Sequence, residues 1–234
     1  MSQGQSNPNI AVSASSKVMT IFPGDYAAAD EGSYFTANLA ATASTAVATT
    51  TQALAKTNPT IAITNTSTPG GANSYNIYLR YIKLLMTAVT TGATTAQHVG
   101  TLDNLLPKLT TLGTALNAAT NVNSASPSLS KSLIYGGVNV AGADTANGRT
   151  VHTGVITNSI PIILDNWIFA FGEPVAASAM IGTMTLVKEV IVPLPPIIIA
   201  PGWTYTLGIW GTSWAAAAQT YSIDMGWIER PSGQ

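Results

Sequence analysis

The chain has 234 residues, 46% of them hydrophobic and only 8% charged, with a formal net charge of -1 and no cysteine. Ordinary soluble proteins carry roughly 25% charged residues and disordered chains are poor in apolar ones, so the composition excludes disorder and implies a neutral, polar surface. Near-zero charge offers no electrostatic attraction to free nucleic acid or an anionic membrane, and the lack of cysteine excludes disulfides and thiolate metal sites.

Residues 1–17 are small and polar and read as an N-terminal arm; no basic stretch is followed by an apolar one, so this is not a secretory signal. Residues 18–234 read as a single domain, and no apolar run approaches the ~20 residues of a membrane helix. VMTIFPGDY (18–26) predicts a short strand ending in a Pro-Gly turn. SYFTANLAAT (33–42) predicts a strand, and the Ala/Thr-rich segment 40–56 a surface connection. NPTIAITN (58–65) predicts a strand with Ile61 and Ile63 on one face, followed by a turn at Pro69-Gly70-Gly71. YNIYLRYIKLLMTAVTT (75–91) is apolar on both parities; it predicts a central strand with a bulge near 82–84, or alternatively a buried helix. TAQHVGTLDN (95–104) predicts a strand.

Leu102, Leu105, Leu106, Leu109, Leu112 and Leu116 have helical spacing, weakened by Pro107 and Gly113, and predict a short helix or a leucine-lined excursion. KSLIYGGVNV and RTVHTGVIT read as two strands around a turn at Asn147-Gly148. IPIILDNWIFAFGE (160–173) reads as a buried strand or strand pair. Near the C-terminus, VIVPLPPIIIAP is extended edge or crossover chain, because proline cannot donate to a ladder. Trp203, Tyr205, Leu207 and Ile209 then alternate with Thr204, Thr206 and Gly208. Tyr221, Ile223, Met225 and Trp227 alternate with Ser222, Asp224 and Gly226. This period of two marks strands with one buried and one wetter face. Many short strands between turn signals predict an all-β fold, a jelly-roll-like antiparallel β-sandwich with at most short helices, in 102–118 or 40–56. The expected core comprises Ile61, Ile63, Ile77, Leu79, Ile163, Phe169, Leu207, Ile209, Ile223 and Met225.

Groups that could carry chemistry are few and scattered. His98 and His152 lack any metal-ligand spacing. Asp165, Glu173, Asp224 and Glu229 form no readable acid–base pair, and Glu229-Arg230 and Lys188-Glu189 read as local ion pairs or interface contacts. Asp144 and Asn147 lie in a turn that lacks the ordered ligand series of a calcium loop. Neither a metal nor an organic cofactor is expected, and no catalytic residues are assigned. Tryptophan is the most distinctive residue type. Trp203 and Trp227 share parity with aliphatics and are expected in the core. Trp210 and Trp214 are the interface candidates, together with Glu229 and Arg230.

NPTIAITN, YNIYLRYIKL, VPLPPIIIAPGWTYTLGIW and YSIDMGWIER together resemble the small jelly-roll virion proteins of tailed bacteriophages, of the cement or decoration and minor capsid type. The likeness is one of pattern across residues 33–230. It implies a non-enzymatic structural role in the virion, as a homo-oligomer, usually a trimer, bound to a major capsid protein or another virion protein. In that setting the arm 1–17 is expected to lie across a neighbour. The alternative from a different class is a glycan- or receptor-binding β-sandwich using Trp210 and Trp214.

Overall fold

The period-two runs near the C-terminus form the central strands of two sheets. The computed structural model describes residues 10–12, 19–21, 24–38, 47–49, 56–88, 95–104, 108–115, 119–137, 139–157, 168–171, 188–191, 196–210 and 219–232. The first strands are β1 (Ile10–Val12), β2 (Met19–Ile21), β3 (Tyr34–Asn38), β4 (Val47–Thr49), β5 (Ile61–Asn65) and β6 (Tyr75–Ala88), with a helix, α1 (Gly24–Asp30), before β3. Next come β7 (Thr95–Asp103), β8 (Leu109–Thr111), β9 (Thr114–Ala115), β10 (Thr120–Asn121), β11 (Ser132–Gly136) and β12 (Val140–Ala141). The last are β13 (Arg149–Thr157), β14 (Ile168–Phe171), β15 (Lys188–Ile191), β16 (Ile197–Ile199), β17 (Thr204–Trp210) and β18 (Gln219–Pro231).

The first sheet has the order β10-β3-β18-β6-β14-β15, with β16 also on β6 and β4 also on β18. The second has the order β13-β7-β17-β5-β11-β9, and two small pieces, β1-β2 and β12-β8, stand apart. Among the described residues every pairing is antiparallel except one. That exception is β14 on β6, parallel at Phe169↔Leu84 and Ala170↔Leu85. The chain is therefore an all-β sandwich with one short helix among the described residues.

Between the sheets Phe35, Ile77, Leu79, Ile82, Ile223, Met225 and Trp227 of the first face Ile61, Ile63, Leu102, Tyr205, Leu207 and Ile209 of the second. Trp227 stacks on Phe35 with ring centroids 6.3 Å apart. Eight of the ten expected core residues are buried here: Ile61, Ile63, Ile77, Leu79, Leu207, Ile209, Ile223 and Met225. Ile163 lies outside the described residues, as does the side chain of Phe169. Leu207 is fully buried. Its replacement by alanine should cost ~2–5 kcal/mol in lost transfer energy plus a cavity, read as a lower urea midpoint. A cost under about 0.5 kcal/mol would place Leu207 at the surface.

Five local expectations are corrected. The threonine face of β17 is not the wetter one: Thr204 and Thr206 are both buried. The β12-β8 piece covers this face, with Leu109 and Ala141 packed on Ala62. The hydroxyls pair across strands, Thr64 with Thr204 at 3.0 Å and Thr101 with Thr206 at 2.5 Å, so each of these buried hydroxyls has a hydrogen-bond partner.

The Pro-Gly after β2 opens α1 rather than a reversal. Asp25 sits in its first turn, followed by Ala27, Ala28 and Ala29. Gly32, at φ 70°, closes the helix, with Ser33 N donating to Ala28 O and Gly32 N to Ala29 O, each at 2.9 Å. That pair of bonds is the Schellman stop, for which a left-handed glycine is the favoured residue.

No helix occupies the described parts of 102–118 or 40–56. Leu102 and Leu109 are buried in strands while Leu112 is exposed, and Val47–Thr49 pairs with β18. The expected bulge in 75–91 is present twice, at different places. Gly226 pairs with Tyr81 but Trp227 with Leu79, and Thr220 pairs with Ala88 but Tyr221 with Met86. Arg80 and Thr87 are the extra residues in the register, and across Arg80 the buried parity switches from Ile77 and Leu79 to Ile82. Finally, β11 and β13 are not neighbours around Asn147-Gly148: β11 lies on β5 and β13 on β7.

Candidate functional site

Polar side chains gather in four places, beginning with a histidine pair inside the sandwich. On β7 and β13, His98 and His152 face the interior with ring centroids 5.3 Å apart. His152 Nε2 lies 2.8 Å from the Tyr205 hydroxyl of β17. Gly100 makes room for this bond, because a Cβ there would fall 1.9 Å from His152 Nε2. Burial lowers the His98 pKa to about 4, and burial with the neighbouring His98 charge lowers that of His152 to about 3. Both rings are neutral at pH 7. Burial raises the Tyr205 hydroxyl far above its ordinary value, so it stays protonated and able to donate. All three side chains are buried, Tyr205 fully so.

The second group ties β7 to the 143–145 turn. Lys108, 1% exposed, places its ammonium 2.6 Å from Asp103 Oδ2, 2.8 Å from Ala143 O and 3.1 Å from Asp144 Oδ1. Asp103 also accepts from Asn104 N at 2.8 Å, from Thr145 N at 2.9 Å and from the Thr145 hydroxyl. Burial alone would raise the Asp103 pKa, but the bonds from Lys108 and Thr145 and the Lys108 charge outweigh it and hold it at about 2. Lys56 closes the chain at 3.2 Å from Asp144 Oδ2. Both Asp144 oxygens thus meet lysine ammonium groups, which fill the place a calcium ion would need. Among the described residues no group of three His, Cys, Asp or Glu could hold a metal.

The third is the outer face of the first sheet. Arg80 pairs with Asp25 of α1 at 2.9 Å, and the Tyr81 hydroxyl lies 3.3 Å from Asp224 Oδ1. Tyr81 lies across Gly226, where a Cβ would come 2.4 Å from its ring. Burial and the nearby Asp224 charge push the Tyr81 pKa well up.

The fourth is a cleft of about 460 Å³ lined by Ser33, Phe35, Tyr75, Leu129, Lys131 and Arg230, among others, with Glu229 in its wall. Glu229 is 4% exposed and shares the parity of Trp227, whose Nε1 donates to its Oε1 at 3.0 Å. Its carboxylate also accepts from the Ser130 hydroxyl and from Lys131 N, at 3.0 Å to each oxygen. This makes Glu229 a clamp on the 128–131 loop, where the sequence had suggested an interface residue. Arg230, on the opposite parity, pairs at the surface with Glu31 at 3.1 Å. Glu229→Gln keeps the shape but loses charge-assisted acceptors, and should cost about 1–3 kcal/mol, read in urea unfolding.

The tryptophans divide as their parity implies, where they are described. Trp227 is buried and Trp203 is partly buried against the core, with the Arg149 guanidinium 5.1 Å from its ring centroid. Trp210 ends β17, its backbone paired with Gln97, while its side chain lies outside the described residues. Trp214, Asp165 and Glu173 also lie outside them, and Lys188 and Glu189 are described only as backbone in β15. Sequence reasoning missed Lys108 as a buried cation and Tyr205 as a hydrogen-bonding core residue. The parity of Tyr205 was visible, but its partner, 53 residues away, was not. No family model, curated protein or solved structure matches the chain.

Proposed function

We propose that the chain is a jelly-roll structural subunit of a virion, of the cement or decoration type, working through contacts with its own copies and with a capsid protein. The strand order carries this reading. With β3, β5, β6, β7, β13, β14, β17 and β18 numbered one to eight, the sheets contain the orders 1-8-3-6 and 2-7-4-5. Neighbours 1·8, 2·7, 3·6 and 4·5 are the pairs made by rolling up one long eight-strand hairpin, an architecture used in viral capsid and lectin domains. The 3·6 pair departs from it, since β14 runs parallel to β6.

The surface favours a shell subunit over a ligand-binding relative. Leu129 is 81% exposed, Leu112 53%, Leu133 49% and Ile198 47%, on a chain with only 8% charged residues. Exposed apolar side chains suit burial by neighbours, and a chain this poor in charge has little electrostatic repulsion to keep copies apart. The described polar clusters bond among themselves, so the reading assigns no reaction. Sedimentation velocity across a concentration series, with negative-stain microscopy, tests it. Trimers or larger particles are expected, with an interface well over ~1,000 Å². A monomer at every concentration that binds no hydrophobic dye would overturn it.

A further inference from the structure

We infer that the N-terminal hairpin β1-β2 of one copy adds as strands to the free edge of β13 in a second copy; this rests on the assembly reading above and names its contact. Two incomplete elements carry the inference. In the first, β1 and β2 pair only with each other, through Ile10↔Ile21, Ala11↔Thr20 and Val12↔Met19, and no third strand joins them among the described residues. A two-stranded hairpin alone is marginal in water, and strands of three residues offer few bonds with which to hold it. It needs a further strand.

The second element offers one. β13 is nine residues long and ends its sheet, hydrogen-bonded on one side only, to β7, among the described residues. Protein edges are usually short, charged, broken by proline or twisted away by bulges. RTVHTGVIT carries its one charge at Arg149 and has no proline. Its one irregularity lies between Thr150 and His152, after which the register runs evenly from His152↔Gly100 to Thr157↔Thr95. A straight, neutral, β-branched edge presents unpaired amides and carbonyls in the direction a hairpin strand needs.

Chain connectivity makes the donor a different copy. Ile21 and Gly24 are three peptide steps apart, at most about 11 Å of chain. α1 is held on the outer face of the first sheet by the Asp25–Arg80 pair. β13 belongs to the other sheet, a further ~10 Å behind the first. α1 therefore stands on the far side of the first sheet from its own β13, which makes a neighbour's β13 the acceptor.

Hydrogen exchange on the intact chain tests this, at concentrations spanning assembly. Alternate amides of 149–157 should exchange at least about tenfold more slowly in the assembled protein than in the dilute protein. That protection should vanish in a variant lacking residues 1–21. If the truncated chain does not fold, Ala11→Pro with Thr20→Pro in the full chain removes two amides of the hairpin instead and should have the same effect. An assembled protein whose 149–157 amides are equally fast with and without the hairpin overturns this contact and leaves the assembly reading standing. Protection that is independent of concentration and lost with the hairpin overturns the second copy as donor. A chain that is monomeric throughout overturns both.

Discussion

Lys108→Met should be among the most damaging single substitutions in this fold, costing about 3–5 kcal/mol, because it leaves the Asp103 carboxylate buried without its counter-charge. The side chains are similar in length, so little of the loss is packing. Asp103 keeps its bonds from Asn104 and Thr145, but those dipoles replace only part of a cation 2.6 Å away. Asp144→Asn should be far milder, at most about 1 kcal/mol, since exposed pairs contribute little. Asp144 is 29% exposed and its second partner, Lys56, 40% exposed.

The pH dependence separates the two variants further. The folded pKa of Asp103 is about 2, below its unfolded value of 3.8. Its contribution is therefore complete above 3.8 and lost as pH falls towards 2. Removing Lys108 raises the folded pKa, moving acid unfolding to higher pH. Urea midpoints at pH 7 and pH 4 for the three proteins give both readings. A Lys108→Met cost below about 1 kcal/mol would mean the pair is not buried as described.

The sandwich was legible because its central strands carry long, clean alternation. At 203–209 and 221–227 period two assigns Leu207 and Ile209, and Ile223, Met225 and Trp227, to the buried face of their own strand, and all five lie in the core between the sheets. The same rule misled where a second layer covers the other face. Thr204 and Thr206 read as wet because threonine is polar, yet a cross-strand hydroxyl partner lets each be buried at little cost. Alternation also broke down at Arg80, since one inserted residue reverses every side chain beyond it.

The polar clusters were hidden for a different reason. Lys108 meets Asp144 36 positions later, and the Ser130–Glu229 bond spans 99. No local pattern marks such partners; only the topology that brings β7 beside the 143–145 turn, or the end of β18 beside the 128–131 loop, creates them. Glu229 had one local signal, its shared parity with Trp227, and that signal pointed inward. α1 was missed because Pro23-Gly24 reads as a turn, although Ala27 to Ala29 followed by Gly32 spells a short helix and its stop.

Mild acid should loosen this protein before its carboxylates titrate, through the His98–His152 pair. The folded pKa values, about 4 and about 3, lie below the 6.5 of an unfolded histidine. Between pH 6.5 and about 4 the unfolded chain therefore binds protons that the folded chain refuses. Stability is full above 6.5 and falls as pH drops through that window. By pH 5.5 each histidine should have removed on the order of 1 kcal/mol relative to pH 7.5. The chain has two histidines and no cysteine, so no other side chain has an ordinary pKa in that range. The cause is the burial of both rings, to which the His98 charge, 5.3 Å away between ring centroids, adds at His152. Tyr205 of the core cluster is bonded to His152. The double variant His98→Gln with His152→Gln should flatten the slope between pH 7.5 and 5.5. Proton NMR of the native rings, which needs no variant, should show neither titrating down to pH 5. Wild-type stability that is level from pH 7.5 to 5.5, or a ring that titrates near 6.5, would place the histidines in contact with water and undo the account of this core.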